Sequence, residues 1–431
     1  MMQFASRAAL AAAFALSLQA CRNEPYDPSA AGETSSIKDA GASGIETAAG
    51  GVPTTIHVST RGSDVAAGNL NAPVRTLTRA IGLAGPGTTI LVHAGTYNEH
   101  IESSKSGTKA SPITVAGAGD GLVTISSSLP AVACTAREPV RNRTIELTSG
   151  ADYWTFRNLT VVGGITVSGS NTGDNLKVQL GNRSLPGRGT PDLTGARTTL
   201  SRLGSDPAVG HQFLNLTVRG RGIYGVAARA GKIEDSDIGP IKCATGGGIW
   251  LGRFSDEWSI KRNRVHDLAE SFEHFMSEGI RFSGASDYNL VEGNTVETIE
   301  GKGRGITTDV FASFNTIRAN TVRGAAIGYS EQLGGWGNKW LDNTAENNSR
   351  TGYAVFVMGN QTAPSDPGTP SGIEFRGNRS VGDVVALQMG GIKRSSFSTN
   401  RFSQVSISPL LRSYWRAQGN SWNGAPNPPP Q

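Results

Sequence analysis

Two side chains on neighbouring segments of this chain have the chemistry to hold an acidic sugar. In Gly248–Asp267 (GIWLGRFSDEWSIKRNRVHD) and Gly279–Thr298 (GIRFSGASDYNLVEGNTVET), strand alternation turns Ile249, Leu251, Ile280 and Phe282 to one side and leaves Trp250 and Arg281 on the other. An exposed indole is a platform for a sugar ring, and a guanidinium grips a carboxylate through two parallel hydrogen bonds. Alignment of the following segments continues the row to Asp309 and Glu331 and puts Arg253 at its edge. Asp309 and Glu331 are also the best carboxylate pair for glycoside hydrolysis, which needs two such groups flanking the scissile bond. The plainer alternative is that Arg281 pairs with Asp309 and Trp250 covers a loop.

Other charged positions divide between chemistry and scaffolding. Asp256 and Asp287 align in adjacent segments, and two close carboxylates either share a proton or bind Ca2+, which prefers oxygen ligands. Ca2+ is therefore the candidate cofactor. Lys261, Glu292 and Arg318 share one aligned position, and His266, Glu297 and Arg323 another; this alternation predicts cross-strand ion pairs and makes His266 a weak candidate base. Residues 268–279 (LAESFEHFMSEG) hold Glu270, Glu273, His274 and Glu278 without the spacing of a zinc site, and are expected to form a solvated lid. The arginines at 137, 141 and 143, and at 183, 188, 197 and 202, are expected mainly as solubilising charge, with flanking of an acidic glycan as the alternative.

A repeat must position these residues. The two segments overlay without gaps on Gly305–Gly324 (GITTDVFASFNTIRANTVRG): each opens with Gly-Ile, then places an apolar residue three before an Asn and Val two after it. The triplets are Ile260/Asn263/Val265, Val291/Asn294/Val296 and Ile317/Asn320/Val322. Looser copies follow at Trp340/Asn343/Ala345, Phe375/Asn378/Ser380 and Phe397/Asn400/Phe402, and precede at Ile233/Ser236/Ile238, Phe213/Leu216/Val218 and Phe156/Leu159/Val161. Such a period is too short for a domain, so each unit is one coil that buries its apolar face only against its neighbours. Asn tolerates the left-handed turn between two strands and can hydrogen-bond up a stack spaced at ~4.8 Å. The interval from Leu159 to Leu216 has room for one extra coil with extended loops.

The composition agrees with a turn-rich, all-β chain: 56 of 431 residues are Gly and aromatics are only 7%. Residues 1–20 read as a secretory leader with Arg7 before the apolar run Ala8–Leu18, and Leu18-Gln19-Ala20-Cys21 resembles a bacterial lipobox that would lipidate Cys21. Residues 21–51 then form a flexible tether, 52–422 the folded body, and 423–431 (NGAPNPPPQ) an unstructured tail. Arg22 after the cysteine favours the outer membrane as the location. The net charge is +5, and the acidic tether leaves the body more basic still, which favours an anionic partner. Nucleic acid does not suit an exported lipoprotein, whereas an acidic polysaccharide does. A monomer is expected, with Cys134 and Cys243 either disulfide-bonded or free.

At the N-terminus, Thr55–Ser59 reads as a strand, Thr76–Ala84 as a short helix and Thr88–His93 as a second strand. The stretches IHVSTRGSD, NAPVRTLTRAIGLAGPGTTILVHAGTYNE and SGTKASPITVAG resemble the opening of the pectate-lyase-like right-handed β-helix proteins, which include alginate, chondroitin and pectate lyases. The resemblance implies a single-stranded right-handed parallel β-helix with three strands per coil, its N-terminal helix capping the stack. It implies that the Gly-Ile strands form the binding face. The turn before that face shortens from Val265–Gly279 through Val296–Gly305 to Val322–Ala326, and the wall opposite lengthens at 358–371, so the groove is uneven. It further implies β-elimination on a uronate polysaccharide; the residues of this chain that suit that chemistry are Arg281, to neutralise the carboxylate, and Lys302, its pKa lowered by Arg304 and burial, to remove the C5 proton. Glycan binding without catalysis, or a surface-structural role, is the alternative from another class; hydrolysis ranks below both.

Overall fold

The computed structural model describes residues 54–129, 143–148, 150–170, 206–242, 247–269, 277–299, 303–332, 334–356 and 369–429. Residues 1–51, read above as leader, lipobox cysteine and tether, lie outside the described residues, as do Cys134, Cys243 and Lys302. Each coil contributes three short strands, as in Ile249–Gly252, Ser259–Lys261 and Arg264–Leu268, followed one coil later by Glu278–Ser283, Leu290–Glu292 and Thr295–Ile299. Vertical neighbours pair in parallel and in register: Ile249 with Ile280 and then Ile306, Ile260 with Val291 and then Ile317, Val265 with Val296 and then Val322. The first strands of successive coils form an eleven-strand sheet, and the second and third run together through their turns into a second network. The fold is thus a right-handed parallel β-helix, whose remaining two strands supply the crossover that parallel pairing requires.

Alternation explains the core. Inward residues on all three faces, such as Ile249, Leu251, Ile260 and Val265, are fully buried, and aromatics continue the same columns near the C-terminal end. Trp340, Phe375 and Phe397 lie nearly parallel, with ring centres 6.1 and 4.9 Å apart, an offset stacking that aromatic quadrupoles favour.

The asparagine ladder forms as expected. Nδ2 of Asn263, Asn294, Asn320, Asn343 and Asn378 each donates to Oδ1 of the next, at 2.9, 2.9, 3.0, 3.1 and 3.0 Å, ending on Asn400. The left-handed residue of the turn, however, is the one before each Asn: φ is +53° at Arg262, +66° at Gly293, +53° at Ala319 and +54° at Asp342. Each ladder Asn from Asn263 to Asn378 is buried, and the ladder amides run along the stack. Upstream, at Asn158 (φ +57°) and Asn215 (φ +50°), an asparagine does take the left-handed place of this turn, with Leu159 and Leu216 in the ladder slot.

Three further expectations change. Trp154–Val162 pairs directly with Gln212–Gly220, Phe156 with Phe213 and Val161 with Val218, so no extra coil separates them; the intervening chain is an insertion. Residues 423–429 are not free tail: Trp422 bridges Ala425, and Arg412 Nη1 donates to the Pro429 carbonyl at 3.0 Å. A second helix, Pro409–Tyr414, was not legible; Ser408 caps it, and Trp415 beyond it is buried against Phe397. The N-terminal helix Leu77–Leu83 follows its Thr76 cap and buries Leu77, Ala80 and Ile81.

Asn294 bonds to three coils: besides the ladder contacts, its Nδ2 donates to the Ile260 carbonyl at 2.9 Å and its Oδ1 accepts from the backbone N–H of Asn263. Asn294→Leu leaves several buried groups unsatisfied, each worth about 1–3 kcal/mol. The expected loss is at least about 3 kcal/mol, read as a lower urea midpoint.

Candidate functional site

The outward positions of the eleven-strand sheet form one continuous column. Register places Thr166, Tyr224, Trp250, Arg281, Thr307 and Ser330 side by side on successive strands. Trp250 and Arg281 therefore meet as expected: the guanidinium carbon lies 5.0 Å from the indole centre, within cation–π range. Tyr224 packs edge-on against the same indole at 4.7 Å. This tyrosine escaped the sequence reading although Gly222-Ile223 carries the same Gly-Ile opening as the three aligned segments.

Arg281 sits in a buried network of four charges. Its Nη2 is 2.6 Å from Asp309 Oδ2 and its Nη1 3.0 Å from Glu278 Oε2, while Arg304 Nη1 is 3.3 Å from Glu278 Oε1. Two carboxylates offset two guanidinium groups in a region nearly closed to water, where deletion of one partner strands the charge of another. Burial lowers the Arg304 pKa, which Glu278 and then Asp309 partly restore. Burial raises that of Tyr224, against Arg253, Arg281 and Arg143, so its phenol stays protonated at neutral pH. Arg253 follows the Trp250 strand in a left-handed conformation (φ +49°) at the edge of the column, as its position implied. Farther along, Arg143 is completely buried and pushed down to about 9 by burial and by Arg221.

Around Arg281, Trp250 Nε1, Thr307 Oγ1 and Asp309 Oδ1 are buried polar atoms that have no hydrogen-bond partner among the described residues. Buried polar groups are ordinarily satisfied, so these three, on either side of the Arg281 strand, are candidate partners for a hydrogen-bonding ligand.

Glu331 is not on this surface. It pairs in register with Thr308, in the inward column of Phe282, and is 1% exposed. The strand opens at Gly328, in register with Gly305 through Ile306 opposite Tyr329, which puts Glu331 one place earlier than a groove-floor residue; one residue of slip moves a side chain to the opposite face. Asp309 and Glu331 thus lie on opposite sides of the sheet and cannot flank one glycosidic bond. Inside, Glu331 accepts from Thr308 Oγ1, Asn338 Nδ2 and Trp340 Nε1 at 2.9–3.1 Å. Burial nevertheless outweighs those donors and pushes its pKa up to about 8.

Asp256 and Asp287 are adjacent and buried, and each accepts a backbone N–H of the following coil. Asp256 Oδ1 accepts from Asp287 N at 2.9 Å, Asp287 Oδ1 accepts from Ser313 N at 2.6 Å, and Arg229 lies 3.4 Å from Asp256 Oδ2. Among the described residues no group of three or more His, Cys, Asp or Glu is placed to hold a metal ion. The expected charge columns form: Glu292 pairs with Lys261 and Arg318 at 3.4 and 2.6 Å, and Glu297 with Arg323 at 3.4 Å. His266 sits between Asp237 and Asp267, away from the tryptophan column. Of the segment 268–279, residues 270–276 lie outside the described set, as does 358–368 of the opposite wall.

Residues 60–106 match the profile of a family described as protein of unknown function (DUF1565). Over 114 residues the chain is 33% identical to pectate lyase PEL9 of Emericella nidulans, a match spanning 25% of this chain and only 28% of that enzyme. Two solved structures share the fold: a rhamnogalacturonan lyase (TM-score 0.52, 13% identity, 87% of this chain and 95% of that one) and pectate lyase Pel9A (TM-score 0.50, 15% identity, 88% and 87%).

The buried Glu331 predicts a pH signature. A folded pKa near 8, above the unfolded carboxylate's, means that stability is greatest below the unfolded value and is lost as pH rises through about 8. Thermal melts between pH 5 and 9 should show this decline, and Glu331→Gln, which cannot ionise, should flatten it.

Proposed function

We propose that this pectate-lyase-like right-handed parallel β-helix acts on a uronate-containing polysaccharide by β-elimination, on the outward face of its eleven-strand sheet. The observation that carries the reading is the set of three unsatisfied buried polar atoms around the Arg281 guanidinium, beside the Trp250 indole. Sugar hydroxyls supply both the donors and the acceptors that such atoms require, and the indole supplies the stacking surface. The likeness to pectate lyase PEL9 supports the same substrate class.

In the proposed reaction Arg281 pairs with the uronate carboxylate, offsetting the charge that builds when C5 loses its proton. Asp309 and Glu278 hold the guanidinium in place. Lys302, two residues before Arg304 in sequence, is the proposed base that takes the C5 proton. The electron pair of the broken C5–H bond forms the C4–C5 double bond, the C4–O bond breaks, and the departing oxygen takes a proton, for which the Tyr224 hydroxyl is the proposed source. Arg253 at the column's edge would hold a neighbouring carboxylate.

Glycan binding without turnover has one observation in its favour: the Arg281 charge is already matched by Asp309 and Glu278. The readings separate when the protein is incubated with pectate, alginate and chondroitin and the ultraviolet absorbance of unsaturated uronate is followed. Elimination predicts a rise in absorbance that falls at least about 100-fold in Arg281→Ala, Lys302→Ala and Tyr224→Phe, and a higher KM in Trp250→Ala. Saturable binding without product selects the binding reading, and neither binding nor product rejects both.

The proposal extends to location. Export through the leader and lipidation of Cys21 would display the β-helix at the outer membrane on a flexible tether. Cells fed labelled palmitate should incorporate it into the wild-type chain and not into Cys21→Ser.

A further inference from the structure

At the N-terminal end of the stack, several coils before Arg281, two histidines face one another. His57 points outward from Thr55–Val58 between the buried Ile56 and Val58, and His93 follows Thr89–Val92 in the next coil. His57 Nδ1 and His93 Nε2 are 3.0 Å apart, with ring centres 5.3 Å apart and planes inclined by 25°. The difference between those distances leaves only one ring radius on either side, so the nitrogens lie on the line of centres and meet edge to edge.

The second nitrogen of His93 is held in turn. Asp120 Oδ2 lies 2.7 Å from His93 Nδ1, while Asp120 Oδ1 accepts from Ala94 N at 2.9 Å. A carboxylate there keeps the proton on Nδ1 and leaves a lone pair on Nε2, the tautomer that a metal needs. The backbone that carries the rings is anchored as well: His57 N donates to the Gly68 carbonyl at 2.7 Å, His93 N to the Val58 carbonyl at 2.9 Å, and Tyr97 Oη to the His93 carbonyl at 2.8 Å.

We propose that His57 and His93 form a two-nitrogen site for a divalent transition ion of the Zn2+ type, oriented by Asp120. Two ligands at about 2.0–2.1 Å in tetrahedral geometry stand about 3.3 Å apart, so the nitrogens need to separate by only a few tenths of an ångström while each ring tilts by about 35° to turn its lone pair from the other nitrogen toward the ion. In the metal-free protein His57 Nδ1–H donates to His93 Nε2. On binding, that proton moves to His57 Nε2, both facing nitrogens present lone pairs, and no net proton is released. Asp120 is 46% exposed and His93 23%, which leaves the remaining coordination positions to water. With only two protein ligands the affinity is expected in the micromolar range.

Calorimetric titration of ZnCl2 into untagged, metal-free protein, together with NMR of the imidazole nitrogens, tests the site. One ion per chain is expected, with the His57 and His93 signals moving together. His93→Ala should abolish binding, Asp120→Asn should weaken it about 10–100-fold, and His266→Ala should leave it unchanged, with circular dichroism confirming that each variant folds. No saturable binding up to millimolar Zn2+, or binding that survives His93→Ala, overturns the site and leaves the contact a hydrogen bond between two neutral rings.

Discussion

The vertical register of the coils is the constraint on which everything else rests, and the buried asparagine amide enforces it. A hydrophobic side chain can slide along its column at little cost, because dispersion is not directional. An amide with a donor and an acceptor cannot, since a slip of one residue unpairs it from both neighbouring coils together. Once Asn263, Asn294 and Asn320 are aligned, residues some thirty positions apart in sequence become neighbours one strand spacing apart, about 4.8 Å. Trp250 meets Arg281 for that reason alone.

The outward column shows what such stacking permits. A single strand could not hold an arginine between two carboxylates with a second arginine behind them, whereas two successive strands do so: Glu278 and Arg281 lie on one, Arg304 opens the next and Asp309 follows it. The network is electrically balanced, and its cost of desolvation is recovered only while each member keeps its partner. Its arrangement fixes the guanidinium against the indole, so that the face presented to a sugar is preformed rather than assembled on binding. The unsatisfied indole, threonine and aspartate atoms around it are local deficits in an otherwise satisfied structure, and such deficits concentrate where ligands bind.

Much of the fold was legible because its phrase is chemically distinctive. Apolar, Asn and Val recur at fixed spacing, and the first three Gly-Ile strands gave the orientation of Trp250 and Arg281. The failures have local causes. Glu331 was assigned to the wrong face because its segment lacks the Gly-Ile pair, and a strand forgives no error of one. A second ladder, Asn289 to Asn315 to Asn338, was missed although each of its members stands five residues before a member of the first. The aspartates at 256 and 287 align as expected, but alignment of carboxylates says nothing about which backbone N–H groups they meet. The helix Pro409–Tyr414 is too short for periodicity to reveal, and the fate of the proline-rich end depends on a tertiary contact with Arg412.

The asparagines also share a direction. Every ladder carbonyl accepts from the preceding coil, and every amide nitrogen up to Asn378 donates to the following one. Peptide dipoles within a strand alternate and largely cancel, but six side-chain amides pointing the same way add. The interior therefore has a polarity along its axis, with its negative end toward the first coils and its positive end toward the last, much as an α-helix has along its own. Reversing one amide would set like partial charges against each other at both of its neighbours, so the orientation of all six is fixed by any one of them.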